Sequence, residues 1–150
     1  MLRAKGKQDW GTPKWLFLKL NETYKFTLDA AADDTNMKCD KYYTEVQDGL
    51  VQDWDSATFV NPPFKHIRLW VNKAVEEQKK MHHSVVIAPL LSLTAKWYKN
   101  IKDSCHTIIL CPRVAFVGPS SSPNGGIMLL EFGKEHLGEI SWKDITSWKI

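Results

Sequence analysis

The sequence predicts a three-layer α/β domain built around a mainly parallel sheet. Two observations carry that expectation. Short apolar runs near 26–29, 58–61, 85–88 and 107–111 alternate with segments of helical periodicity. The last two strand candidates, near 106–111 and 126–133, follow one another with no helix between them. The last strand is therefore expected to run antiparallel to the rest.

In chain order, residues 1–9 are polar and are expected to be mobile. Thr12-Pro13 reads as a helix start, with Thr able to cap free N–H groups and Pro suited to the first helical position. Trp15, Leu16, Leu18 and Leu20 supply apolar faces up to about Asn21. A strand over 26–29 ends on Asp29. Residues 33–57 are polar and loop-rich, with a small strand candidate at 41–44. The strand at 58–61 is stopped by two prolines, which cannot donate to a ladder.

Ile67, Trp70, Val71, Ala74 and Val75 recur at helical spacing and predict an amphipathic helix over about 66–81. The run Val85-Val86-Ile87-Ala88 before Pro89 reads as a buried parallel strand. Thr94 can cap a helix carrying Trp97, Tyr98 and Ile101. Residues 112–125 are rich in Pro, Ser and Gly and read as a loop, and 127–132 as a strand. In the tail, 141–150, Trp142, Ile145 and Trp148 lie at i, i+3, i+6 and suggest a short packing helix.

Composition excludes several classes. The 150 residues, 43% hydrophobic and 25% charged, suit one globular domain, 1–150. A net charge of +3 is compatible with a polyanionic partner without pointing to one. Cys39, Cys105 and Cys111 are too few and too scattered for a disulfide framework or a zinc site, so no metal is expected. Cys111, after its apolar run, is expected to be buried. No signal peptide and no run long enough to cross a bilayer is visible, which points to a cytoplasmic protein. Seven tryptophans are many for this length. Most should pack in the core, although aromatic rings also stack on bases.

The chemistry concentrates in Asn61-Pro62-Pro63-Phe64. Ligands of open α/β sheets bind beyond the carboxyl ends of the strands, which is where this turn falls. An exocyclic amine conjugated to a ring is a poor nucleophile, because its lone pair is delocalised. Two acceptors on its two N–H groups favour a more tetrahedral nitrogen. The Asn61 side-chain oxygen and the Pro62 carbonyl can be those acceptors. The prolines fix the backbone direction, and Phe64 offers a flat face to a base.

With Thr12-Pro13, Phe26 through Ala32, Asp48-Gly49-Leu50 and Trp54, then Trp70, Lys73-Ala74, Thr94, Trp97, Arg113 and Phe116, the order of these pieces resembles the Dam-like DNA N6-adenine methyltransferases of bacteriophages and prophages. The resemblance spans roughly 10–132. It implies a reduced Rossmann-like domain that uses S-adenosylmethionine, with Asn61, Pro62, Pro63 and Phe64 catalytic. It also implies cofactor contacts at Thr12, Pro13, Asp29, Ala30, Ala31 and Asp48. Asp29 would face the cofactor's ammonium, and Asp48 its adenine amine. Glu45 is a weaker candidate for the ribose hydroxyls, and a solvated acid accounts for it as well. The usual glycine-rich loop is absent, replaced by Ala30-Ala31-Ala32.

The implied partner is double-stranded DNA with the target adenine everted. If the strand near 106–111 is parallel, loop 112–125 shares an edge with Asn61. Arg113, Phe116 and Ser121 could then line the substrate cleft. Lys65, His66 and Arg68 could meet phosphates, and a solvated basic helix start explains them equally well. No separate recognition domain fits, so a homodimer is a possibility. A phage origin would place the protein in the bacterial host cytoplasm, where it would help phage DNA evade restriction. RNA or protein-glutamine methylation, or a non-catalytic nucleic-acid-binding module, are the rival readings.

Overall fold

A computed structural model describes residues 11–117, 125–133 and 142–149. The segment expected to be mobile, 1–9, and the candidate Ser121 lie outside the described residues.

Helix α1 spans Lys14–Tyr24. Its N-cap is Pro13 and no side chain caps it, so Thr12 does not play the expected capping part. The helix outlasts its predicted end and stops where Lys25 turns left-handed, at φ 52°. Strand β1 is only Leu28–Asp29. It is shorter than predicted because the Phe26 N–H is taken by the Asn21 side-chain oxygen at 2.8 Å rather than by a strand. The strand expected at 41–44 is a single parallel bridge between Asp29 and Tyr42.

Strand β2 is Ala57–Val60. Phe64–His66 makes a 3₁₀ turn that leads into α2, Ile67–Lys79. Strand β3, His83–Pro89, is followed by a second 3₁₀ turn, Leu90–Thr94, and then by α3, Lys96–Ile101. Ala95 is the N-cap of α3, so Thr94 closes the turn instead of capping the helix. Strands β4, His106–Cys111, and β5, Ile127–Phe132, form an antiparallel pair.

The strands form one sheet in the order β1-β2-β3-β5-β4-β6. β1, β2 and β3 are mutually parallel, and β5 is antiparallel to both β3 and β4. β4 therefore points the same way as β2, and its carboxyl end lies on the edge that carries Asn61. Two expectations need correction. The strand at 127–132 is antiparallel as expected, but it is not the last, since β6 follows it, and it lies between β3 and β4. The tail is not a packing helix: Trp142–Asp144 is strand β6, parallel to β4, and a 3₁₀ turn follows at Thr146–Lys149. Ile145 is fully buried, and its N–H donates to the Cys111 carbonyl at 2.8 Å. That anchor keeps the tail extended despite a spacing that reads as helical.

Side chains alternate between two apolar clusters along the central strands. Val60, Val86, Ala88, Met128 and Leu130 pack with Trp70, Val71 and Ala74 of α2. Phe59, Val85, Ile87, Ile108 and Leu129 pack with Leu16, Phe17 and Leu20 of α1. Phe17 meets Phe59 edge-on at 5.1 Å. Each such fully buried side chain contributes roughly 1.5–3 kcal/mol, which anchors the edge where the strands end. Cys111, expected inside, is exposed, as the last residue of its strand. Burial pushes the Cys39 thiol up to about 12, with Asp29, Asp40 and Asp55 adding to it, and pushes the Cys105 thiol up to about 11. Both thiols are therefore held protonated at neutral pH.

Candidate active site

The pairing of β1 with β2 builds the site. Leu28 aligns with Thr58 and Asp29 with Phe59, and the Ala30 N–H then donates to the Phe59 carbonyl at 3.0 Å. Continuing that register brings Ala30 and Ala31 abreast of Val60 and Asn61. On the outer side, the Ala32 N–H bonds the Tyr43 carbonyl at 2.9 Å, which draws the 41–49 loop over the end of β1.

A cleft of about 270 Å³ opens there. Ala30 and Ala31 form one side, and Tyr43, Thr44, Glu45, Asp48 and Gly49 of the loop form another. Pro63 and Trp70 complete it, so a residue of the Asn-Pro-Pro-Phe turn is part of its wall. Asn61 is half-buried, Pro62 and Pro63 are buried, and Phe64 is half-buried against the α1-side cluster. The Pro63 carbonyl accepts the His66 N–H at 3.0 Å, which fixes the exit of the turn.

Gly49 is required by crowding. A Cβ there would overlap the Ala30 carbonyl oxygen and fall 3.1 Å from the Trp70 ring. Its carbonyl accepts the Trp54 indole N–H at 2.8 Å. Asp48 adopts a left-handed φ of 60°, a conformation Asp tolerates, and its side chain accepts the Leu50 N–H at 3.0 Å. The Trp70 indole N–H is buried with no hydrogen-bond partner among the described residues. Two carboxylates and aromatic rings around a glycine-tight cleft fit a nucleoside-bearing cofactor such as S-adenosylmethionine.

The remaining candidates are placed as follows. Ala30, Ala31 and Asp48 line the cleft with Glu45, while Asp29, Thr12 and Pro13 do not. Asp29 is 3% exposed, and its carboxylate accepts the Lys38 N–H at 3.0 Å and the Ala31 N–H at 3.4 Å. It braces the loop rather than facing the cavity. Thr12 and Pro13 sit beside Gly11, which bridges antiparallel to Val117, and the Thr12 hydroxyl is buried with no hydrogen-bond partner among the described residues. Phe116 is buried in the α1-side cluster, whereas Arg113 is exposed and packs near Gly126. Lys65 and Arg68 are exposed and His66 is half-buried, all just after the turn.

Sequence reasoning missed Tyr43, Thr44, Gly49 and Trp70 as cleft residues, and it missed Glu77. The Glu77 side chain is fully buried on α2. It is held by Lys73 at 3.0 Å, Lys80 at 3.0 Å, His82 Nδ1 at 2.7 Å and the Trp54 main-chain N–H at 3.1 Å. Trp54 in turn holds Gly49, so Glu77 supports the cleft from behind. A lone acid on an amphipathic helix gives no sequence signal of this. The basic residues spaced around it, Lys73 four before and Lys80 and His82 three and five after, were the available hint.

A mostly parallel α/β sheet carrying an Asn-Pro-Pro-aromatic turn beside a cleft on its carboxyl edge matches the layout that the family resemblance implies. The chain belongs to the DNA N-6-adenine-methyltransferase (Dam) family, whose profile matches residues 2–128. It is 29% identical over 103 residues to the DNA N-6-adenine-methyltransferase of Escherichia phage T1, a match covering 67% of this chain and 43% of that protein. It is 37% identical over 71 residues to YfdM of Escherichia coli, whose name assigns it only provisionally to the methyltransferases. That match covers 42% of this chain and 77% of the relative. The chain thus spans less than half the length of the phage enzyme. Among the described residues no helix is long and apolar enough to cross a membrane, and no cluster of His, Cys, Asp or Glu is suited to a metal.

Proposed function

We propose that the protein methylates adenine N6 in double-stranded DNA with S-adenosylmethionine as donor, through a reduced three-layer Rossmann-like domain. One observation carries the reading: Pro63 belongs both to the Asn-Pro-Pro-Phe turn and to the wall of the cleft. Donor and acceptor sites therefore meet at one point on the carboxyl edge of β2.

Asp48, Glu45 and the Trp70 N–H would hold the cofactor, with Ala30 and Gly49 allowing close backbone approach. When bound, S-adenosylmethionine supplies an electrophilic methyl on a cationic sulfur and leaves as a neutral thioether. The Asn61 side-chain oxygen and the Pro62 carbonyl accept the two N–H bonds of the everted adenine amine and direct its lone pair outward. Phe64 supports the ring. The amine gains a C–N bond and then loses a proton, so no residue needs a shifted pKa. Arg113, Lys65, His66 and Arg68 stand at the same edge for phosphate contact. The protein would work in the cytoplasm, for a phage the host's, where such marking protects DNA from restriction. A homodimer would widen the DNA footprint.

Methyl incorporation from labelled cofactor into duplex DNA, RNA and protein tests the reading, with N6-methyladenine mapped in plasmid DNA from expressing cells. Incorporation into RNA or protein alone would overturn the DNA assignment. DNA binding with no heat of cofactor binding would make the domain a non-catalytic module.

A further inference from the structure

A second concavity lies between α2 and α3, with an empty volume of about 550 Å³. Arg68, Asn72, Lys96, Trp97 and Asn100 line it. The two helices follow the adjacent parallel strands β2 and β3, so both begin at the edge that carries Asn61. Arg68 lies in the first turn of α2 and Lys96 opens α3. Asn72 and Asn100 each lie four residues further along, on the same helix face as the cation above them. The groove thus has matching walls, a cation near the active edge and a side-chain amide one turn below. Half-buried Trp97 completes the lining.

Charge separates this groove from the rest of α2. The other basic residues of α2 and the residue just after it are occupied: Lys73 and Lys80 by Glu77, and Lys79 by Glu76. Arg68 and Lys96 have no carboxylate within ion-pairing distance among the described residues, and no acidic side chain lines the groove. Unpaired cations flanked by amides, with an aromatic ring beside them, form the donor set that phosphodiester oxygens and adjoining sugars require.

We infer that the α2–α3 groove binds the sugar-phosphate backbone of the DNA strand whose adenine enters the Asn61 turn. The inference rests on the DNA reading above. It assigns Lys96, Asn72, Asn100 and Trp97 to a track that the Asn-Pro-Pro-Phe turn does not include. A track on this side grips the strand next to the turn and offsets part of the cost of eversion.

The test uses the full chain and a fluorescent duplex, with anisotropy measured at several salt concentrations and cofactor binding measured by calorimetry. Lys96→Gln should weaken duplex binding several-fold and flatten the salt slope by about 0.9, the loss of one phosphate contact. Asn72→Asp and Asn100→Asp, both at exposed positions, should weaken it by a similar factor through repulsion. Cofactor affinity should stay at the wild-type value in all three. Variants that bind the duplex as tightly as wild type, with the same salt slope, overturn the groove while leaving the DNA reading standing. A wild-type protein that binds cofactor but no duplex overturns both.

Discussion

The Glu77 carboxylate accepts the main-chain N–H of Trp54 at 3.1 Å, and a buried acid on α2 thereby governs a loop that lines the cleft. Trp54 stacks near Trp70, with ring centroids 6.4 Å apart, and donates its indole N–H to Gly49. The wall of the cleft is therefore held from the sheet side by Ala30 and from the helix side by Glu77.

This arrangement predicts acid sensitivity. Burial acts to raise the Glu77 carboxyl, but hydrogen bonds from His82, Lys73, Lys80 and the Trp54 N–H prevail and hold it at about 2, against an ordinary 4.5. The folded value is the lower one, so the stabilisation is complete above about 4.5 and is lost as pH falls towards 2. It amounts to ~3 kcal/mol. Melting temperatures followed down through that window should fall more steeply for wild type than for Glu77→Gln. At neutral pH the variant itself should be roughly 3–5 kcal/mol less stable, because three basic groups lose their partner. Parallel melting profiles for the two proteins would contradict this role.

Gly49→Ala should close the cleft. The added methyl overlaps the Ala30 carbonyl oxygen and presses on Trp70, both of which are fixed in the core. A cost of about 1–3 kcal/mol in stability is expected, together with at least tenfold weaker cofactor binding by calorimetry. Unaltered affinity would show that the cofactor does not use this wall.

If Asn61 addresses the target amine as proposed, Asn61→Ala should abolish methyl transfer and leave cofactor affinity nearly unchanged. Labelled methyl incorporation and calorimetry measure the two effects separately. Turnover near wild type would remove Asn61 from the chemistry.

Phe64→Ala should weaken binding of the everted base by roughly 1–3 kcal/mol. Its ring also packs on the α1-side cluster, so a modest drop in melting temperature should accompany the change. A Michaelis constant and rate for DNA equal to those of wild type would argue that the base stacks elsewhere.

Much of the sheet was legible because its strands are continuous apolar runs with hard stops. The span 127–132 was read in full, and β2 and β4 were each misplaced by a single residue. The place of the Asn-Pro-Pro-Phe turn was legible because two prolines after a strand leave few backbone options. The parts that were misread depend on distant partners. Phe26 looks like strand until Asn21 takes its N–H, and the tail looks helical until Cys111 accepts from Ile145. The insertion of β5 between β3 and β4 leaves no local signal, since an apolar strand looks alike at the centre or the edge. The cleft was half legible. Ala30, Ala31 and Asp48 lie in the recognisable segments, but Trp70 reads as ordinary helix core, and only the folded chain places it beside Gly49.

The central position of β5 also bears on the connection that leads into it. The connection between β4 and β5 leaves and re-enters the sheet on the edge that carries Asn61, yet β5 is clamped on both flanks. The start of that connection is packed as firmly as the strands: Val114 and Phe116 are buried in the α1-side cluster, and Val117 bridges to Gly11. A change at Val114 or Phe116 would therefore be felt in the packing of α1, while β5 stays held by both of its neighbours.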